Sequence, residues 1–176
     1  HTSFQPLIQS SISIDFDSIF HSSFKLDYGN YYINKIFAKH FIEIKNKEFQ
    51  FFVSPILNLS LGRESSEKQN TFINTRGILI GGKIGEKMRF ESKFLENQAV
   101  FPNYIDAYIQ RYNVAPGEGY VRPFKNNGYD YSMSSGYISF EPFNRMTIQF
   151  GHGKHFIGDG YRSLILSDLS FNYPFL

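Results

Sequence analysis

The sequence predicts an all-β antiparallel chain, the strands of a transmembrane β-barrel or a soluble sandwich with one decorated end, on three observations. Apolar and polar residues alternate through several segments of strand length. Short turns alternate with long connections, as in membrane barrels. Aromatic residues make up 18% of the chain, 20 Phe and 12 Tyr with no Trp, a content that suits a membrane interface. Composition alone also fits a soluble antiparallel sandwich.

Residues 1–48 differ from the rest. SISIDFDSIF and YYINKIFAKHFIEIK mix short alternating pieces with an amphipathic helix expected around Tyr32 to Phe41, and together they read as a small, partly helical lead-in, periplasmic or plug-like. From 49 to 176 the chain reads as the first strands and loops of a barrel. FQFFVSPILNLSL sets Phe49, Phe51, Val53, Leu57, Leu59 and Leu61 on one face and Gln50, Ser54, Asn58 and Ser60 on the other. Pro55 falls among the apolar set, where its missing N–H argues for an edge, a bulge or a break.

Residues Asn74 to Asn97 read as a hairpin turning at Gly85, Glu86 and Lys87, with Ile78, Ile80 and Ile84 leading in and Met88, Phe90 and Phe94 leading out. The other parity of the second arm carries Arg89, Glu91, Lys93 and Asn97, which a dry core could not hold unpaired. A second hairpin, SGYISFEP to RMTIQFGH, lies within Tyr129 to His152 and turns at Pro142, Phe143 and Asn144. The connection from Gln98 to Gly128 contains a helical turn, PNYIDAYIQRY, and the Gly- and Pro-rich VAPGEGYVRPF; a loop of that length is too long for a compact sandwich unless it is functional. Tyr129, Tyr131 and Tyr137 share a parity and are expected as a ring girdle at headgroup level.

Charge and composition exclude several classes. The 18 basic and 16 acidic residues give a net charge of +2, and their dispersion offers no stripe for nucleic acid. With no Cys there is no disulfide and no thiolate site. No run of about 18 apolar residues could form a spanning helix, and no charged-then-apolar signal opens the sequence. The start at His1 and the stop at Leu176, in an aromatic run, read as those of a piece of a longer protein.

One motif concentrates polar chemistry. GHGKHFIGDGYRS, Gly151 to Ser163, sets His152, Lys154, His155, Asp159 and Arg162 among glycines. The order does not match a phosphate-binding GxxxxGK[ST], and two His with one Asp lack a fourth metal ligand. A loop folded into a barrel mouth would pair these charges with luminal Arg89, Glu91 and Lys93. Alternatively, Tyr161 would cover a sugar face while Asp159 and Arg162 bond its hydroxyls. His152, His155, Asp159, Tyr161 and Arg162 are therefore the candidate ligand-binding residues. Glu96, Asn97 and Gln98 suit rim hydrogen bonding better than acid catalysis, and Asp106 and Arg111 read as solvated or paired charges. No catalytic, cofactor-binding or metal residue is assigned.

FGHGKHFIGDGYRSLILSDLSFNYPFL resembles the outer-membrane barrel proteins of Bacteroidota that include the RemB-type gliding motility proteins and the Wzi-like capsule assembly family. INTRGILIGGKIG, FLENQAVFPNYIDAYI, VAPGEGYVRPFK and DYSMSSGYISFEP follow the RemB-type pattern in order, so the likeness covers most of residues 49–176. It implies a non-catalytic outer-membrane barrel continuing past Leu176, since the strands read here are too few to close even an eight-stranded barrel. Its implied partners are outer-membrane lipid together with gliding or secretion machinery, or, for the Wzi-like group, surface polysaccharide. A hydrolase acting at the barrel rim is the rival from another class.

Overall fold

A computed structural model describes residues 40–143, 146–158, 166 and 169–176. The strands are β1 (Ile42–Lys45), β2 (Phe49–Glu64), β3 (Gln69–Ile84), β4 (Met88–Val100), β5 (Val114–Ala115), β6 (Gly119–Tyr120), β7 (Arg122–Phe124), β8 (Gly128–Phe143), β9 (Met146–Gly153) and β10 (Tyr173–Phe175), with one helix, α1 (Asn103–Tyr112). The main sheet runs β1-β2-β3-β4-β8-β9-β10, with β7 also on β8, while β5 and β6 pair apart. Every pairing is antiparallel. The sheet is open, with β1 and β10 at opposite edges.

Both expected hairpins form. β3 and β4 meet around Gly85, whose φ of 58° is a left-handed conformation that glycine adopts without steric cost, and its N–H donates to the Glu48 carbonyl. β8 and β9 stay paired to Phe143 and Met146, with a register shift between Phe140 and Phe143. β2 runs unbroken through Pro55, which pairs with Ile78. The last β2 residue paired to β1 is Val53, so Pro55 lies where β1 no longer covers the edge and no ladder donor is missed. Residues 42–45, grouped with the lead-in by sequence, are a strand of this sheet. The helix expected at Tyr32 to Phe41 falls almost wholly outside the described residues.

Register separates the two faces sharply. Phe49, Ile84, Met88, Phe140 and Ile148 form one cross-strand row, and Phe51, Gly82, Phe90, Ile138 and Phe150 the next on the same face. The intervening rows bring Gln50, Lys83, Arg89, Ser139 and Gln149 together, then Phe52, Gly81, Glu91, Tyr137, Gly151 and Phe175. The first face is bare. On it Leu57, Leu59, Ile78, Ile80, Ile84, Phe94, Ile138, Phe140, Ile148 and Phe150 are exposed, and Leu61 is 77% exposed.

The apolar band crosses that face on a diagonal. It spans Phe49–Leu61 in β2, centred on Pro55, and Met146–Phe150 in β9, centred on Ile148 in the row of Phe49, a displacement of six residues. At ~3.4 Å per residue, over four strand spacings of about 4.8 Å, that is a slope of about 45°. β3, β4 and β8 hold intermediate positions. Beyond the band the bare face turns polar, with Arg76, Glu96 and Ser132 in one row and Asn74, Gln98 and Asp130 in the next.

The other face is covered at its loop end. Ala99, Phe101, Ile109, Ala115, Val121 and Tyr131 form a buried cluster, joined by Ile73, Ile105 and Tyr129. Ile73, Ala99, Tyr129 and Tyr131 come from the sheet, Ile105 and Ile109 from α1. Beside this cluster the Thr75 hydroxyl donates to Asn97 Oδ1 at 2.7 Å, and Asn97 Nδ2 donates to the Tyr131 carbonyl at 3.4 Å. Both side chains are buried. Asn97→Ala strands the Thr75 hydroxyl and is expected to cost about 1–3 kcal/mol, whereas Thr75→Val with Asn97→Leu should recover most of it; chemical denaturation of the three variants checks this.

A polar cleft beneath an inward-folded loop

α1 begins after Pro102, which has extended φ and ψ and provides no side-chain cap. The Glu64 carboxylate, arriving from β2, accepts the free Asn103 N–H at 3.0 Å instead, where a negative charge also suits the helix dipole. Asn113 ends the helix in the left-handed conformation and donates its N–H to the Ile109 carbonyl, a C-terminal cap of the αL type. Asp106 and Arg111, expected as surface charges, both have partners. Asp106 accepts from the Tyr129 hydroxyl at 2.5 Å and from Gln110 at 2.6 Å, and the Arg111 guanidinium lies 5.3 Å from the Tyr112 ring centroid.

Past α1, the β5–β6 hairpin turns at Gly117, whose φ is 73°. A Cβ there would sit 3.1 Å from the Leu169 carbonyl oxygen, so close approach and backbone conformation both call for glycine. Lys154 Nζ donates to the Gly117 carbonyl at 2.5 Å and lies 4.0 Å from the Glu118 carboxylate. Asn172 donates to the Ser134 carbonyl at 2.6 Å. The turn, Lys154 and the Leu169–Asn172 segment thereby meet over the covered face.

Beneath them lies a cleft of about 420 Å³, with Glu91, Lys93, Met133, Ser135, Tyr137 and Gln149 of the sheet on one side and Pro116, Gly117, Glu118, Lys154 and His155 on the other. Tyr137 is hydrogen-bonded to Glu91, which also feels the charge of Lys93. His155 Nδ1 is 3.1 Å from the Tyr173 hydroxyl, and its ring meets Phe175 edge-on at 4.3 Å. Charges of both signs beside the half-buried rings of Tyr137, His155 and Phe175 equip the cleft for hydrogen bonding and ring contact with a polar solute.

The expected site residues divide. His155 belongs to the cleft. His152 borders it, but its pairing with Gly136 and Pro174 places it on the bare-face parity, where it is exposed. Asp159, Tyr161 and Arg162 lie outside the described residues. Among the described residues no three His, Asp or Glu side chains gather as metal ligands do. Glu96 is exposed at the rim, paired in register with Arg76 and Ser132.

The tyrosine girdle is corrected. Tyr129, Tyr131 and Tyr137 do share a face, but it is the one that carries Glu91 and Asn97, where Tyr131 is buried in the cluster under α1. Aromatic enrichment signals a partly buried ring as readily as a membrane-facing one, and only the folded loop decides between them. Glu118 was not singled out from sequence, its one local signal being the PGEG turn, and Asn172, Tyr173 and Phe175 stood out only as part of the aromatic run FNYPFL.

Lys154→Met removes both tethers of the β5–β6 turn. Partly exposed ion pairs contribute little and a hydrogen bond to a charged group more, so faster amide exchange by about tenfold is expected at residues 115–120, with β4 and β8 unchanged.

No family model, curated protein or solved structure matches this chain.

Proposed function

We propose that this chain is part of the wall of an outer-membrane β-barrel whose role is binding and surface organisation, without catalysis. The observation that carries the reading is the diagonal apolar band on the bare face. A horizontal hydrocarbon slab cuts strands tilted by about 35–45° along such a diagonal, and the about 45° slope across β2 to β9 agrees with it. Exposed Leu, Ile and Phe over that whole band would be an aggregation hazard in water and are at home in lipid. Short turns then lie on the periplasmic side and the α1 loop outside. A closed barrel needs strands further to those described.

The RemB-type resemblance assigns this barrel to gliding or surface organisation. The Wzi-like reading, contact with surface polysaccharide, draws support from the exposed rings of Tyr104, Tyr108 and Tyr120 on the loop between β4 and β8. A hydrolase acting at the rim stands as the rival reading from another class.

The test is fractionation of the full-length protein with outer membranes, together with a mobility difference between unheated and boiled samples in a detergent gel. Co-fractionation with a heat-dependent shift is the expected result; recovery from the soluble periplasm without one would sink the proposal. Deleting the gene then separates the roles, since loss of colony spreading with capsule retained favours gliding and the reverse favours capsule.

A further inference from the structure

The covered face would be the lumen of the barrel, and at its loop end it is not open. Phe101 to Val121 fold inward over it instead of standing away from the rim. The contact is a true core, with Ile109 only 1% exposed against Ala99, Phe101 and Tyr131. Four further attachments surround it. Glu64 holds the start of α1, Tyr129 holds Asp106, Lys154 holds Gly117, and the Leu169 backbone packs against that same glycine. These anchors come from β2, from β8 and from the chain flanking β9 and β10, so they span most of the width of the sheet.

The outward side of the loop has a different character. Tyr104, Tyr108 and Tyr120 are exposed, Tyr120 at 82%. Pro116, Gly117 and Glu118 form the roof of the polar cleft, whose floor is Glu91, Lys93, Ser135 and Tyr137 of the strands below. A solute arriving from outside therefore meets α1 and the β5–β6 hairpin before it meets any floor residue. From the Gly85 end, the one described residue from outside the strands that lies over that face is His40, stacked on Phe52 at 3.9 Å and 2.8 Å from the Ser54 hydroxyl.

Resting on the barrel reading, we infer that residues 101–121 are a built-in stopper, which closes the lumen to the exterior and leaves the polar cleft as a vestibule entered from the periplasm. The ligand of the cleft is a periplasmic polar solute or chain end, and the protein is not a pore for external nutrients. External partners meet the tyrosine-bearing outer side of the loop.

The chain has no cysteine, so single cysteines report access cleanly. Ser135→Cys places a thiol on the cleft floor and Tyr120→Cys one outside the loop, each in the full-length protein without other cysteines. Intact cells are treated with a membrane-impermeant maleimide. Tyr120→Cys is expected to label at once and Ser135→Cys at least about tenfold more slowly, because its labelling requires the loop to open. Permeabilising the outer membrane should bring Ser135→Cys to the rate of Tyr120→Cys.

Replacing residues 103–119 with a short Gly-Ser linker should expose Ser135→Cys from outside; Ile109→Asp, which keeps the whole loop, is the second route to the same result. The heat-dependent gel shift shows that each variant has assembled. Equal external labelling of the two thiols with the loop intact would overturn the stopper while leaving the barrel standing. Failure of Tyr120→Cys to label in intact cells, or loss of the gel shift in the unmodified protein, would overturn the barrel reading itself.

Discussion

Ile109→Asp is expected to undock the α1 loop while the sheet stays assembled. Ile109 is the one large side chain among the described residues that is almost wholly buried, and its neighbours come from the loop (Phe101, Ala115, Val121) and from the wall (Ala99, Tyr131). Truncating such a residue costs about 2–5 kcal/mol, and a carboxylate without a partner adds a desolvation penalty. A total of about 4 kcal/mol raises the undocked population about a thousandfold. Trypsin cutting after Arg111 in the last turn of α1 reads that population when reclosing is fast. Ile109→Val, at about 1 kcal/mol, should give an intermediate rate. Unchanged cleavage in Ile109→Asp would mean that the side-chain tethers, and not the apolar cluster, hold the loop.

The second large effect separates membrane from water. Ile80 lies near the centre of the apolar run of β3, on the bare face and 36% exposed. If that face contacts lipid, Ile80→Arg costs about 2–4 kcal/mol, while Ser132→Arg, in the polar row beyond the band, costs about 0–1 kcal/mol. If the sheet were soluble, both would be surface changes within about 0.5 kcal/mol. Reversible unfolding of the full-length protein from lipid vesicles measures the difference. Near-equal values for the two variants would remove the main support for the membrane reading.

The parity of β2, β3 and β4 was legible in the residues, and so were both hairpins and the helix within 102–112, because alternation and turn residues are local signals. Which parity of β8 the loop covers was not. Tyr129, Tyr131 and Tyr137 alternate just as Ile78, Ile80 and Ile84 do, and the choice depends on where residues 101–121 pack, a contact made over a distance that no local pattern encodes. The same holds for the cleft. His155 stood out by its chemistry, but Tyr173 and Phe175 come beside it only through the pairing of β10 with β9. Thr75 and Asn97 each look like ordinary polar strand residues, and only the register Thr75↔Asn97 makes them a buried pair. His152 and His155 are three residues apart, yet they are divided because β9 ends at Gly153 between them.

The construction of the stopper also dictates an order of assembly. A ten-residue helix such as α1 is too short to persist alone in water, so it forms only where Ile73, Ala99 and Tyr131 already make a surface for it. That surface needs β3, β4 and β8 to be paired first. In the barrel proposed above, the segment joining β4 to β8 would then cross the bilayer as an extended loop, before its helix exists and while the sheet is still open. Docking of the loop would then be the last event in the assembly of such a barrel, and a chain halted before it would be leaky to the medium.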